Sequence, residues 1–234
     1  MSVYKVRPPR TAKEFEDMLL AIGSDAKLQA SNALQTDASK KQEKKSKKAM
    51  SVYNVRPLRT TKEIEDMLWA IGRTSRHSER NTFLFLLGIN TGLRVSDLLN
   101  LKVQDVQSPS PRIREKKRQK KRTLFLGGIW KEVQAYTAGK PKTDYLFTSQ
   151  KHDNSPLSPV AVYQMLQKAS ELLERDDVGT HTMRKTFGYH YYKKTRDIVG
   201  LMHIFNHSSE AETKKYIEIL DEDLAESLKG FRLG

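Results

Sequence analysis

A repeat at the front of the chain limits what the rest can fold into. Residues 1–23 read MSVYKVRPPRTAKEFEDMLLAIG, and residues 50–72 read MSVYNVRPLRTTKEIEDMLWAIG, at an offset of 49 positions. Only the second copy continues into a long sequence with regular apolar spacing, and stacked repeat folds need about three or more units. We therefore predict a duplicated N-terminal segment at 1–23 and a folded domain over 50–234, with Met50 as the original start. The alternative is a spare helix that competes for the same groove.

The segment between the two copies has a different composition. Residues 24–49 contain no aromatic residue and end in the run SKKQEKKSKKA. Such a sequence buries too little apolar surface to offset the entropy of ordering the chain, so we predict a disordered, lysine-rich linker at 24–49. The linker is either a solvated tether or a source of non-specific phosphate contacts.

The charge of the chain indicates the kind of partner. The 234 residues carry a formal net charge of +14 and a pI of about 9.8, which favours a polyanion such as nucleic acid. No apolar run approaches the roughly 20 residues needed to span a bilayer, and no signal-peptide pattern is visible. The chain has no cysteine, which excludes disulfides and thiolate chemistry. We expect a cytosolic protein that contacts DNA or RNA and not a membrane.

The first half of the folded domain is predicted to be helical. Thr60 and Glu63 have capping-box spacing before an amphipathic stripe, and the apolar run Asn81–Ile89 predicts a buried helix. A break at Thr91-Gly92 precedes another short helix, in which Arg94 lies between apolar segments. An arginine in that position is expected to face a cleft or to be paired, because an unpaired buried charge is costly. The simpler alternative is that Asp97, three residues later, pairs with Arg94.

A basic hairpin and a further helix follow. Residues 112–117 and 123–126 predict two antiparallel strands, joined by a polar tip that suits a phosphate backbone. The tip carries the lysines Lys116, Lys117, Lys120 and Lys121, and composition does not distinguish among them. Ser158 and Pro159 then predict an N-cap and first position of a helix whose apolar stripe serves the core.

The stretch from His181 to Tyr216 contains the most unusual polar residues. His181 and Arg184 are three apart, which places both on one face of a helix. His207 follows an apolar segment, and Tyr216 lies nine residues later on a short segment that Ser209 and Glu212 are predicted to open as a capping box.

These residue types suit phosphodiester chemistry. Two arginines can hold the non-bridging oxygens of a phosphodiester, and a tyrosine hydroxyl can attack the phosphorus to form a phosphotyrosine. A lysine ammonium can protonate the leaving group, and histidines can orient the phosphate or move the tyrosine's proton.

Four segments resemble the motifs of the tyrosine recombinases, or phage integrases. They are Thr91–Leu98 (TGLRVSDL), which is similar to the first arginine motif, His181–Arg184 (HTMR), Phe205–Ser209 (FNHSS), and Tyr216 nine residues after His207. The resemblance covers about residues 54–234 and implies an α+β, mainly helical catalytic domain with a small antiparallel sheet. It also implies site-specific DNA cleavage and rejoining through a 3′-phosphotyrosine, without metal, ATP or another cofactor.

The resemblance further implies a role for each site residue. Arg94 and Arg184 are implied to clamp the phosphate and Tyr216 to be the nucleophile, while His181 assists proton transfer and His207 binds the phosphate. Lys117 is the preferred hairpin lysine for the general acid, over Lys116 or Lys120, because Arg118-Gln119 stands where the family has a Thr-Gly turn.

Two departures from the family pattern qualify these expectations. Residues 1–53 are too short and too charged to be the family's helical core-binding domain, so a stand-alone catalytic domain is expected, with a DNA-bending protein or a full-length recombinase as an accessory partner. Asn206 replaces the usual glycine before His207, and asparagine tolerates the left-handed backbone expected there.

The implied partners are double-stranded DNA and further copies of the chain. The segment 221–233 is expected to dock on a neighbouring protomer, giving a dimer or tetramer on DNA, in a bacterial or phage-derived, nucleoid-associated protein. The alternatives are a catalytically silent DNA-binding or regulatory module and, less favoured, a topoisomerase-like relaxing enzyme.

Overall fold

The helical character of the domain is plain in the structure, a computed structural model that describes residues 55–114, 121–150 and 154–219, together with Lys229 and Arg232. These residues form eight α-helices: α1 Thr61–Thr74, α2 Ser78–Thr91, α3 Val95–Leu99, α4 Trp130–Thr137, α5 Pro159–Leu172, α6 Thr182–Thr195, α7 Ile198–Phe205 and α8 Glu210–Ile217. Short 3-10 turns occupy Val103–Val106 and Gly127–Ile129. Within the described ranges, no helix is long and apolar enough to cross a membrane.

The predicted capping box at the start of α1 is confirmed. The Thr60 side chain accepts a bond from the Glu63 backbone N–H, and the Glu63 carboxylate accepts one from the Thr60 N–H at 3.0 Å. Helix α1 buries Met67, Ala70 and Ile71 and packs against α5 and α2. The side chain of Ser158 likewise caps α5, with Pro159 at its first position as predicted.

Residues 55–59, here called the entry strap, lie across α6. The Leu58 side chain is fully buried, and its backbone N–H donates to the Thr186 hydroxyl at 2.9 Å. A ring nitrogen of His190 lies 2.9 Å from the Leu58 carbonyl oxygen. The first copy of the repeat has Pro9 at the equivalent position, and proline has no N–H for such a bond. The two copies of the repeat therefore differ at Leu58, the position whose backbone N–H binds Thr186 in this domain.

Gly92 ends α2 and turns the chain towards Arg94. It adopts φ 59°, ψ 23°, a left-handed conformation in which glycine carries no Cβ penalty, and its N–H caps the helix at the Gly88 carbonyl. A Cβ built at Gly92 would lie 2.4 Å from the Phe187 ring on α6. The predicted break is thus also the point of close approach between α2 and α6.

The two strands of the sheet flank the part of the hairpin that lies outside the described residues, which includes residues 115–117 of the first predicted strand. Strand β1 is Arg112–Arg114 and β2 is Lys121–Thr123, paired antiparallel with Arg112 opposite Thr123. The prediction of a second strand over 123–126 was therefore wrong in its bounds. Leu124 and Leu126 still donate backbone bonds to the carbonyls of Pro111 and Pro109, but proline has no N–H to return, so the regular ladder ends.

The last two helices form a second, smaller core beside the main one. Ile198, Leu201, Phe205 and Ile217 are buried there, and α8 packs on α7 and α6. The predicted fold class is confirmed: the described residues form a mainly helical α+β domain with a small antiparallel sheet.

Replacing Gly92 by alanine is expected to destabilise the domain more than the same change at Gly139. Gly139 also has positive φ, 72°, but open space around its missing Cβ. Gly139→Ala should therefore cost only the backbone strain, about 1–2 kcal/mol. Gly92→Ala should cost roughly 1–3 kcal/mol more, because the new methyl meets Phe187. Urea unfolding of both variants measures this, and equal losses would contradict the close packing of α2 on α6.

Candidate active site

The site lies where α2, α6, α7 and α8 meet. Arg94 is the N-cap residue of α3, directly after the turn at Gly92. His181 and Arg184 lie at the start of α6, His207 follows α7, and Tyr216 is on α8. The structure thus brings together five of the six residues predicted for the site: Arg94, His181, Arg184, His207 and Tyr216. The sixth, Lys117, lies outside the described residues.

The two arginines meet at a single backbone oxygen. Nη2 of Arg184 donates to the Phe205 carbonyl at 2.9 Å, and Nη2 of Arg94 donates to the same oxygen at 3.3 Å. Phe205 is the last residue of α7, so its carbonyl lacks the usual intrahelical donor and lies at the negative end of the helix dipole. Arg184 also donates to the Gly92 carbonyl. Backbone oxygens therefore hold two positive side chains together.

Arg184 is the more enclosed of these two cations. It is 3% exposed, and its guanidinium stacks 4.1 Å from the Phe205 ring centroid. Arg94 is only half-buried. The alternative that Arg94 merely serves a local pair does not account for its bond to Phe205, which lies 111 residues away in sequence.

His181 contacts the hydroxyl of Tyr216. Its Nδ1 lies 3.0 Å from the Tyr216 oxygen, and the hydroxyl donates this bond whenever Nδ1 carries no proton. Desolvation lowers the pKa of His181, and the nearby cations Arg184, Lys185 and Arg94 lower it further. Near neutral pH the imidazole is therefore set to accept a proton rather than to hold one.

Burial has the opposite effect on Tyr216. Desolvation raises the pKa of its phenol, while the charges of Arg184 and Arg94 and a hydrogen bond from Arg184 partly offset this rise. Little phenolate exists near pH 7 under these conditions, so a reaction at this oxygen needs a proton acceptor. His181 is placed to be that acceptor.

His207 is oriented by a threonine that the sequence did not indicate. Its Nδ1 lies 3.1 Å from the Thr213 hydroxyl, and that hydroxyl donates its own proton to the Ser209 carbonyl at 3.0 Å. Thr213 therefore accepts from the Nδ1–H of His207, which fixes the orientation of the imidazole ring. Thr213 lies three residues before Tyr216, and residues three apart lie on the same face of a helix. This spacing was the one sequence signal that could have placed Thr213 near the site.

The start of α8 differs in one detail from the predicted capping box. Ser209 accepts from the Glu212 N–H at 3.1 Å, as expected. The Glu212 carboxylate, however, accepts from the N–H of Ser208, at 2.8 Å, and from its hydroxyl. The predicted left-handed backbone at Asn206 is confirmed by its φ of 51°.

The described part of the hairpin is attached close to Arg94. Arg122, on β2, donates to the Thr91 carbonyl at 2.6 Å, at the end of α2. Sequence reasoning missed this arginine, since it lies within a run of basic residues with no distinguishing spacing.

Comparisons with known proteins agree with this fold. The chain resembles a crystal structure of XerA recombinase with a TM-score of 0.60 and 20% identity, over 77% of this chain and 65% of that one. A crystal structure of XerH site-specific recombinase bound to palindromic difH substrate, in a post-cleavage complex, gives a TM-score of 0.56 and 22% identity, over 73% and 51% of the two chains. The fold is that of the tyrosine recombinases.

Sequence comparison identifies the family directly. The model of the phage integrase family matches residues 59–223, and the chain belongs to that family. The probable integrase/recombinase YoeC of Bacillus subtilis (strain 168) is 41% identical over 148 residues, which cover 62% of this chain and 81% of the relative. Matches to relatives named tyrosine recombinases span about half of their lengths. The resemblance stated from the sequence is confirmed.

Proposed function

We propose that this protein cleaves and rejoins DNA at specific sites, with Tyr216 as the nucleophile. The observation that carries the proposal is the convergence of two guanidiniums, Arg94 and Arg184, beside a tyrosine hydroxyl that is bonded to a histidine. Membership of the phage integrase family supports it. Two fixed cations beside a buried hydroxyl suit a reaction that transfers a negatively charged phosphoryl group.

The proposed first step exchanges one phosphoester for another. The Tyr216 oxygen attacks the phosphorus and gives its proton to Nδ1 of His181, and the bond from phosphorus to the 5′ oxygen breaks. The product is a 3′-phosphotyrosine and a free 5′ hydroxyl on the other strand end. Because one phosphoester replaces another, rejoining is the reverse reaction and needs no ATP.

The remaining groups have complementary roles in this proposal. Arg94 and Arg184 neutralise charge on the non-bridging oxygens in the transition state. His207 in its doubly protonated form donates its Nε2–H to the phosphate while Nδ1–H is bonded to Thr213. The proton for the leaving 5′ oxygen comes from a hairpin lysine, and Lys117 remains our choice.

The partner and assembly are also part of the proposal. A net charge of +14 favours double-stranded DNA, and the XerH structure named above is a complex with its DNA substrate. We propose a dimer or tetramer on DNA through the segment 221–233, most of which lies outside the described residues. We also propose residues 50–234 as the catalytic domain and residues 24–49 as the linker that precedes it.

Tyr216→Phe is expected to abolish covalent adducts while leaving DNA binding intact. The change removes only the attacking oxygen, whereas affinity comes mainly from phosphate contacts, so the dissociation constant should stay within about twofold. Nicked suicide substrates trap the adduct, and gel shifts measure binding. Tyr192→Phe, the same change in the same small core, is the matched control and should form adducts like the parent. Binding without adducts in the parent chain would favour the silent DNA-binding module instead.

The rate of adduct formation is expected to fall at acidic pH with a midpoint below 6.5, the ordinary pKa of histidine. A lowered pKa means that the imidazole of His181 is neutral above that value and loses its acceptor nitrogen as the pH falls through it. Single-turnover rates at saturating DNA measure this profile. His181→Asn should remove the acidic limb and slow the plateau roughly 100-fold. If that variant keeps the same limb, His181 is not the proton acceptor.

A further inference from the structure

A second set of charges lies next to the candidate site, on α6 and at the end of α8. Lys185 follows Arg184 directly, and its Nζ donates to the Glu218 carboxylate and to the Val55 carbonyl, both at 2.6 Å. The Lys185 side chain is 15% exposed and that of Glu218 26%, so this ion pair is largely shielded from water. Breaking a shielded pair costs more free energy than breaking an exposed one, because the remaining charge is then buried without a partner. Such a pair therefore holds its two side chains in place.

Glu218 ends the helix that carries Tyr216. It adopts φ 55°, ψ 54°, a left-handed conformation that is uncommon for a residue with a side chain. Its carbonyl oxygen accepts from Nη2 of Arg59 at 2.8 Å, while its carboxylate accepts from Lys185. Two cations from different parts of the chain therefore hold both the backbone and the side chain of one residue, two positions after Tyr216.

Both of these cations, Arg59 and Lys185, are tied to the entry strap. Arg59 belongs to the strap, donates from its backbone to the Glu63 carboxylate at 2.7 Å, and places its guanidinium 5.1 Å from the Tyr189 ring centroid. Lys185 is fixed at its other end by the strap carbonyl of Val55. The strap, α6 and the end of α8 thus form one connected set of contacts.

This set determines where the tyrosine ring can lie. Nζ of Lys185 is 5.6 Å from the Tyr216 ring centroid, and the hydroxyl of the same ring meets His181. If the end of α8 were released, the helix could rotate about its capped start at Ser209 and withdraw the hydroxyl from Nδ1. Displacements of about 1 Å at a reacting atom can reduce rates roughly 100-fold.

We infer that Glu218 is a positioning residue for Tyr216, and that its contacts with Lys185 and Arg59 couple the entry strap to the placement of the nucleophile. The inference rests on the proposed role of Tyr216. It adds that the position of the nucleophile depends on the segment that precedes α1, through contacts made outside the catalytic residues.

The test compares Glu218→Gln with Glu210→Gln. Both changes neutralise a carboxylate on or next to α8, but Glu210 begins the helix, at the opposite end from Glu218, and forms an exposed pair with Lys214 at 3.9 Å. Glu218→Gln should slow adduct formation at saturating DNA by about 10- to 100-fold, because the placement of the Tyr216 hydroxyl is altered. Glu210→Gln should match the parent chain.

Two further measurements separate positioning from a general loss of stability. Lys185→Met combined with Glu218→Gln should be no slower than the slower single variant, since both changes break the same contact. Thermal unfolding of each variant checks that it is folded at the assay temperature. Rates of Glu218→Gln equal to those of Glu210→Gln, or effects of Lys185→Met and Glu218→Gln that simply multiply, would overturn the inference.

A readout without DNA distinguishes this inference from the proposed function. With ring-labelled tyrosine, the NMR signal of Tyr216 should shift or broaden in Glu218→Gln and stay unchanged in Glu210→Gln. Absence of adducts in the parent chain would refute the nucleophile assignment, and the NMR comparison would still report whether Glu218 places the ring. An unchanged Tyr216 signal in Glu218→Gln would overturn the positioning role by itself.

Discussion

The carbonyl oxygen of Phe205 is the interaction on which the candidate site depends. It accepts from both Arg94 and Arg184, which would otherwise repel each other in a partly buried space. A helix C-terminus supplies the negative end of a dipole without a titratable group, so the contact persists across pH. The turn at Gly92 contributes by presenting a second carbonyl to Arg184 and by delivering Arg94 to the site. The arginines are thus placed by backbone geometry.

Helix α8 adds the groups that would act on a bound phosphate. Its eight residues carry Thr213, which orients His207, and Tyr216, which meets His181. A helix this short has little stability of its own, so its placement comes from packing and from its ends. Ser209 caps the start, and Glu218 joins the end to Lys185 and the entry strap. The position of the tyrosine is therefore a tertiary property.

Sequence reasoning succeeded where the signal was local. The capping box at Thr60 and the left-handed Asn206 were predictable because neighbouring residues determine them, and the motif residues were found through their spacing. It failed where partners are distant or belong to the backbone: the Phe205 carbonyl has no side-chain signature, and Glu218 lies 33 residues from Lys185. The strand shift at 123–126 arose from pairing with proline carbonyls, which a pattern of apolar residues does not reveal.

Locating the covalent bond tests the central claim most directly. After reaction with a nicked suicide substrate, nuclease trimming and trypsin digestion, cleavage following Lys215 releases residues 216–229, in which Tyr216 is the single tyrosine. Mass spectrometry should find the nucleotide adduct on this peptide and on no other. An adduct on a peptide that contains Tyr191 and Tyr192, or a parent chain that binds DNA and never acquires a nucleotide, would contradict the account.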